Sequence, residues 1–339
     1  MALGIALFIV GFALAALTLM DVFETVIVPG GSRASLRVAR RLVWVLLPLW
    51  KIIKGSRHGL SSAFAPLVLV LCFTVWMTLL GVGFGLMAYG VRAEFQPPIT
   101  SLADAIYIVG SSLVTIGLSE STALGVARWI VLAAGFCGLA VMTMAVTYLL
   151  EVQTSVSKRD IGIIKLNTSA GEPPSAVTLL QRFAAIDGTS EIINVLREGR
   201  DWCATVRQSH SNHPSLIYFQ SVGTGSGWPA ALGALLDLAL LAEYCLEEKA
   251  LRGPAVLLRD EASRMARELA ALVRVVPLEG GGKGPELVQA AEQLRASGYE
   301  LQGSIDFEIL EQQRMDYSGC VDALAAHLGK RTTVLVRQA

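Results

Sequence analysis

Residues Ser111 to Glu120 read SSLVTIGLSE, and what their centre, Thr115-Ile116-Gly117-Leu118, offers to chemistry is backbone. A glycine accepts positive φ without steric penalty, so such a run can aim successive carbonyl oxygens one way and present them to a dehydrated cation. Copies of the run around an axis would make rings of oxygen. No enzyme chemistry is required of it. Ser119 and Glu120 follow, and the Glu120 carboxylate is either a mouth charge that concentrates cations or a solvated loop charge.

The elements that must position this run lie in lipid. The chain has 339 residues, 53% of them hydrophobic, and a mean hydropathy of +0.55, well above that of a soluble globular protein. Lysine plus arginine equals aspartate plus glutamate, so no overall field argues for nucleic acid as a partner. A spanning helix needs about 20 apolar residues. Ala2 to Met20, Pro66 to Tyr89 and Trp129 to Leu150 meet that standard without a charge. The N-terminus lacks the basic region of a signal peptide and reads as a retained span.

Between the first two spans stand Arg33, Arg37, Arg40, Arg41, Lys51, Lys54 and Arg57 with no acid, which places this loop in the cytoplasm. The N-terminus and the Arg92 to Arg128 segment are then external. Everything after Lys158 and Arg159 is cytoplasmic, as in a multi-pass protein of the plasma (inner) membrane. Within the loop, RRLVWVLLPLWKIIKG is too short to span and reads as a helix along the inner interface, or as a longer first hairpin with a buried turn. Asp21 and Glu24, spaced i and i+3, are expected to pair with the loop arginines, the alternative being a part in sensing gating.

The segment between the second and third spans, from Ala103 to Val114, is apolar apart from Asp104 and small serines. At about 1.5 Å per residue it reaches about halfway across a bilayer, so as a helix it must enter and return on one side. Irregular backbone after it is tolerated there only where protein buries it or water runs beside it. Its C-terminal carbonyls would carry partial negative charge inward, favouring a cation. Asp104, in the first turn, reads as a partner of the N-terminal dipole rather than an ion site.

In this setting the chain resembles the potassium-channel family and its minimal unit of outer helix, pore helix, filter and inner helix. The family filter reads T-V-G-Y-G, commonly followed by Asp. Thr115, Ile116 and Gly117 agree with it; Leu118 replaces the aromatic residue, Ser119 the second glycine, and Glu120 keeps the acid. The resemblance implies ion-binding carbonyls over Thr115 to Ser119, a homotetramer, and K+ or another monovalent cation as the permeant ion, with no cofactor. A serine in place of the second glycine pays a steric cost for positive φ, which puts selectivity for potassium in question. The resemblance also makes Gly138, or Gly135, a hinge of the inner helix. Those glycines serve equally for close helix contact. Met142, Val146 and Leu149 or Leu150 form either an apolar inner constriction or a packing stripe.

From Pro173 onward, helix formers mix with both charge signs, and the breakers EPPS, SVGTGSGWP and LEGGGKGPE punctuate them. Helices are expected at Ala176 to Ala185, Glu191 to Ser209, Pro229 to Leu251, Ala255 to Val276, Glu286 to Ser297 and Asp306 to Leu328. AALGALLDLALLA contains Asp237 and is too short for a span, so it reads as a buried core helix. The row Gly223, Gly225, Gly227 lacks the Lys-Ser/Thr of a P-loop and reads as a connector. His210 and His213 have no third ligand nearby, and the five cysteines include no C-x-x-C pair.

The expected architecture is an all-α membrane protein: an N-terminal spanning helix (1–28), a basic cytoplasmic loop with an interfacial helix (29–62), a potassium-channel-like pore module (63–157) and a soluble α-helical domain (158–339). The expected function is a tetrameric cation channel in membrane lipid, conducting potassium or weakly selective among monovalent cations, gated at the inner helix and assembled or regulated by the cytoplasmic domain. The alternative is a non-conducting membrane sensor or scaffold that keeps this architecture. An enzyme is disfavoured, since no nucleophile–base or metal constellation stands at recognisable spacing.

Overall fold

The structure is a computed structural model, and it describes residues 2–28, 38, 41–42, 45–46, 48, 52, 58–186, 188–220, 223–278 and 284–337. The interfacial helix expected over RRLVWVLLPLWKIIKG falls largely outside the described residues, as do Arg33, Arg37, Arg40, Lys51, Lys54 and Arg57. The chain divides into two units, Met1–Ile52 with Ala63–Val152, and Ile53–Ser62 with Gln153–Ala339.

The first unit is built on α1 (Ala2–Val26), α2 (His58–Gly90) from Ala63 onward, and the first part of α4 (Gly125–Ala170). All three are long and apolar enough to cross a membrane. Between α2 and α4 lie the short α3 (Leu102–Leu113) and a two-stranded antiparallel ribbon pairing β1 (Phe95–Gln96) with β2 (Thr122–Ala123).

Glycines decide how closely α1 and α2 approach. A Cβ on Gly4 would sit 2.6 Å from the Gly90 carbonyl, and one on Gly90 would sit 2.6 Å from the Gly4 carbonyl. Seven residues along each helix the pattern repeats: a Cβ on Gly11 would collide with the Gly83 carbonyl. In lipid, where apolar burial gives little drive between helices, small residues that admit backbone contact are a main source of association. Toward the other end of α1 the seam turns polar. Asp21 is fully buried, and its Oδ2 accepts from Trp76 Nε1 at 2.8 Å and from the Val38 backbone N–H at 3.2 Å.

The first helix thus carries Asp21 and Glu24 beyond the uncharged stretch that ends at Met20. It runs on to Val26, because Asp21 finds donors inside the protein instead of water. Those donors are neutral among the described residues. Replacing Trp76 by Phe keeps an aromatic ring and deletes the N–H, leaving a buried carboxylate short of a donor. A loss of about 1–3 kcal/mol is expected, read as a lower midpoint of thermal unfolding in detergent.

The second unit contains the end of α4, then α5 (Ala176–Ala184), α6 (Thr189–Asn212), α7 (Gly227–Tyr244), α8 (Lys249–Leu272), α9 (Gly284–Ala296) and α10 (Phe307–Leu328). Its centre is α7, in which every residue from Gly227 to Glu243 is buried, as the reading of AALGALLDLALLA requires. A carboxylate inside such a helix must be paired. Asp237 accepts from Arg314 Nε at 2.9 Å and from the Tyr317 hydroxyl at 2.6 Å.

The boundary between α7 and α8 differs from expectation. The helix expected over Pro229 to Leu251 ends at Tyr244, because the chain there leaves helical pairing for a distant partner. Glu247 N–H donates to the Glu300 carbonyl at 3.0 Å and Gln302 N–H to the Cys245 carbonyl at 2.9 Å. Helix α8 then starts at Lys249 with Glu248 as N-cap, and Pro254 lies inside it instead of opening a new helix at Ala255.

Gly223, Gly225 and Gly227 all take positive φ, and the loop they shape grips an internal carboxylate: Ser226 donates its N–H (2.7 Å) and its hydroxyl (2.5 Å) to Glu172. His210 is fully buried, with its Nδ1–H donated to the Val206 carbonyl at 2.8 Å. Burial, reinforced by the charge of Arg159, pushes its pKa down to about 3. The unfolded chain, with an ordinary histidine near 6.5, binds this proton more readily than the folded one, so the associated stability is complete above that value and is lost as pH falls toward 3. Wild-type protein is expected to lose melting temperature between pH 6.5 and 4 more steeply than His210→Gln.

Candidate functional site

The site begins with the way α3 starts. Ser101 accepts from Asp104 N–H at 3.1 Å while the Asp104 carboxylate accepts from Ser101 N–H at 3.2 Å, a reciprocal capping box. Asp104 thus serves the cap, and the helix that follows Ser101 runs for twelve residues.

Both flanking helices give α3 a glycine seat. A Cβ on Gly85 of α2 would sit 2.5 Å from the Ile106 side chain. On α4, a Cβ on Gly138 would collide with the Leu113 carbonyl, and one on Gly135 would lie 3.4 Å from the Ser112 carbonyl. Gly135 and Gly138 thus meet the last turn of α3, and α4 continues through both.

That last turn holds the chain leaving it. Thr115 N–H donates to the Ser112 carbonyl (2.9 Å), Ile116 N–H to the Ser111 carbonyl (2.8 Å) and Gly117 N–H also to the Ser111 carbonyl (3.0 Å). Thr115 stands at φ 63 and Gly117 at φ 73, with Ile116 between them at negative φ. The first two bonds and the left-handed Thr115 form a Schellman cap, a place where glycine is usual. A β-branched residue in that region is strained.

Because a trans peptide sets its C=O opposite its N–H, three bonds running back to α3 turn three carbonyls away from it. These are the carbonyls of Val114, Thr115 and Ile116. None of them accepts a hydrogen bond among the described residues. The stretch Val114 to Glu120 is exposed throughout, Ile116 at 64% and Leu118 at 56%.

Beyond Gly117 the path changes. Ser119 does not take positive φ, so the steric cost expected of it is avoided by a different backbone course. Its hydroxyl donates to the Ser121 carbonyl and accepts from Ser121 N–H. The Leu118 carbonyl turns back to the Ser111 hydroxyl at 2.6 Å. Glu120 is exposed and has no ion pair among the described residues.

Two residues that the sequence did not mark hold this geometry. Ser111 is one. The other is Glu94, whose carboxylate accepts from Ala127 N–H at 3.0 Å and so caps the first turn of α4, beside Gly125 at φ 47. Neither has a sequence signature, since each works through a fold contact. Further along α4, Met142, Val146, Leu149 and Leu150 are exposed along one side of the isolated chain.

No protein-family model, curated protein or solved structure matches the chain.

Gly138→Ala is expected to push α3 off its seat, costing about 1–3 kcal/mol by overpacking. Gly110, on α3 itself, has open space where a Cβ would go. Gly110→Ala is therefore expected to hold or raise the unfolding midpoint while Gly138→Ala lowers it.

Proposed function

We propose that this chain is one subunit of a tetrameric, membrane-embedded cation channel with a potassium-channel-like pore. The observation that carries the reading is the row of unpartnered carbonyls at Val114, Thr115 and Ile116, all turned from α3 by hydrogen bonds on the opposite side of their peptides. Lipid does not tolerate such a row, since each unsatisfied backbone group there costs several kcal/mol. Water or ions around a shared axis satisfy it.

On this reading α3 is the re-entrant pore helix, and Thr115 to Ser119 form the filter region. Glu120 concentrates cations at the external mouth, and the permeant ion is K+ or another monovalent cation. Gly135 and Gly138 provide the seat, and any hinge, of the inner helix. Met142, Val146, Leu149 and Leu150 line its inner constriction. The basic loop and the helical domain lie in the cytoplasm, where the domain assembles or regulates the pore.

A non-conducting scaffold remains the second reading, and one observation favours it: the Schellman cap alone accounts for the bonds from Thr115 and Ile116. Purified protein in liposomes separates the two. The channel reading expects potassium or sodium flux from a particle of four subunits; absence of flux under every condition, from a monomer or dimer, favours the scaffold. Glu120→Gln is expected to lower conductance severalfold at low ionic strength, with the difference closing at about 1 M salt, where the Debye length is about 3 Å.

A further inference from the structure

Ser111 is engaged from both ends. Its carbonyl takes the N–H groups of Ile116 and Gly117, and its hydroxyl lies 2.6 Å from the Leu118 carbonyl and 2.8 Å from the Ile108 carbonyl. Carbonyls only accept, so the serine proton is the donor in whichever contact it makes. The Ile108 carbonyl belongs to the ladder of α3. The Leu118 carbonyl has no other partner among the described residues, and its contact is the shorter. The residue is buried, at 8% exposure, which limits competition from water for the proton.

The direction of that bond matters more than its strength. At Val114, Thr115 and Ile116 the N–H points back to α3 and the C=O points away from it. At Leu118 it is the C=O that points back, so by peptide planarity the Ser119 N–H points away. If the first three oxygens face a passage, the Leu118–Ser119 peptide, one step beyond Gly117, presents a hydrogen-bond donor on this side. A cation there meets no carbonyl and keeps part of its water shell. On the account in which size discrimination comes from the number and field strength of the coordinating carbonyls, a short row discriminates less.

We infer that Ser111 sets the ion specificity of this site: by holding the Leu118 carbonyl toward α3 it truncates the ion-facing row and makes the passage accept potassium and sodium alike. This rests on the channel reading above. Ser119 reinforces the effect, because turning the peptide outward requires positive φ, which a glycine would take freely and a serine resists.

The test is the reversal potential of the full-length channel in planar bilayers with potassium on one side and sodium on the other. Wild type is expected near equal permeability. Ser111→Thr keeps the hydroxyl and is expected to match it. Ser111→Ala keeps the carbonyl that holds Ile116 and Gly117 but frees the Leu118 oxygen. Combined with Ser119→Gly, it is expected to shift the permeability ratio toward potassium by up to about tenfold, the ratio that one net hydrogen bond can hold. A strongly potassium-selective wild type, or a conducting double variant with an unchanged ratio, overturns the role of Ser111 while leaving the channel standing. Absence of current in the wild type overturns both.

Discussion

Three peptide N–H groups, those of Thr115, Ile116 and Gly117, are held by two carbonyls at the end of α3. The rest of the site follows from that tie, because a planar peptide cannot point its N–H one way without pointing its C=O the other. Helix ends normally leave carbonyls in need of donors. Here the chain that departs from the helix supplies them, and its own oxygens are left over. In water this would be an ordinary cap. Between two helices fit to cross a membrane, the leftover oxygens need a partner that the described residues of this chain do not provide.

For the tie to sit at a fixed place, α3 must be fixed, and glycine on its neighbours does that. Gly85 on α2 and Gly138 on α4 let Ile106 and Leu113 come within backbone distance, where any larger residue would hold them off. The same device joins α1 to α2 at Gly4, Gly11, Gly83 and Gly90. Close backbone contact serves the unit twice, once to add a helix and once to seat the short one. Glu94 completes the frame by capping α4 across the ribbon that leads into it.

Much of this was legible in the residues and some was not. Spanning helices announce themselves by uncharged length, and the short apolar segment between two of them was visible for the same reason. The buried character of α7 could be read from an apolar run interrupted by Asp237, yet the partners of that carboxylate, Arg314 and Tyr317, lie nearly eighty positions away and no local pattern points to them. Distance in sequence also hid the end of α7, which is set by pairing with Glu300 and Gln302 and not by a breaker. The break expected between Leu251 and Ala255 falls inside α8. At the site, the glycine and threonine were conspicuous by type. Ser111 was not, because a serine in a helix is commonplace until the chain folds back onto its hydroxyl.

Thr115 adds an argument that hydrogen bonds alone do not. A left-handed residue at the end of a helix is most cheaply a glycine, and the chain shows that it uses glycine freely: Gly329 closes α10 in the left-handed region. At α3 it places a β-branched threonine there instead, at φ 63. Strain of this kind persists where the surroundings over-determine it, and it gathers at functional positions. Capping does not need the side chain. What threonine adds over glycine is a hydroxyl, on a residue that is exposed. The strained residue carries one of the three unpartnered oxygens and stands between the other two.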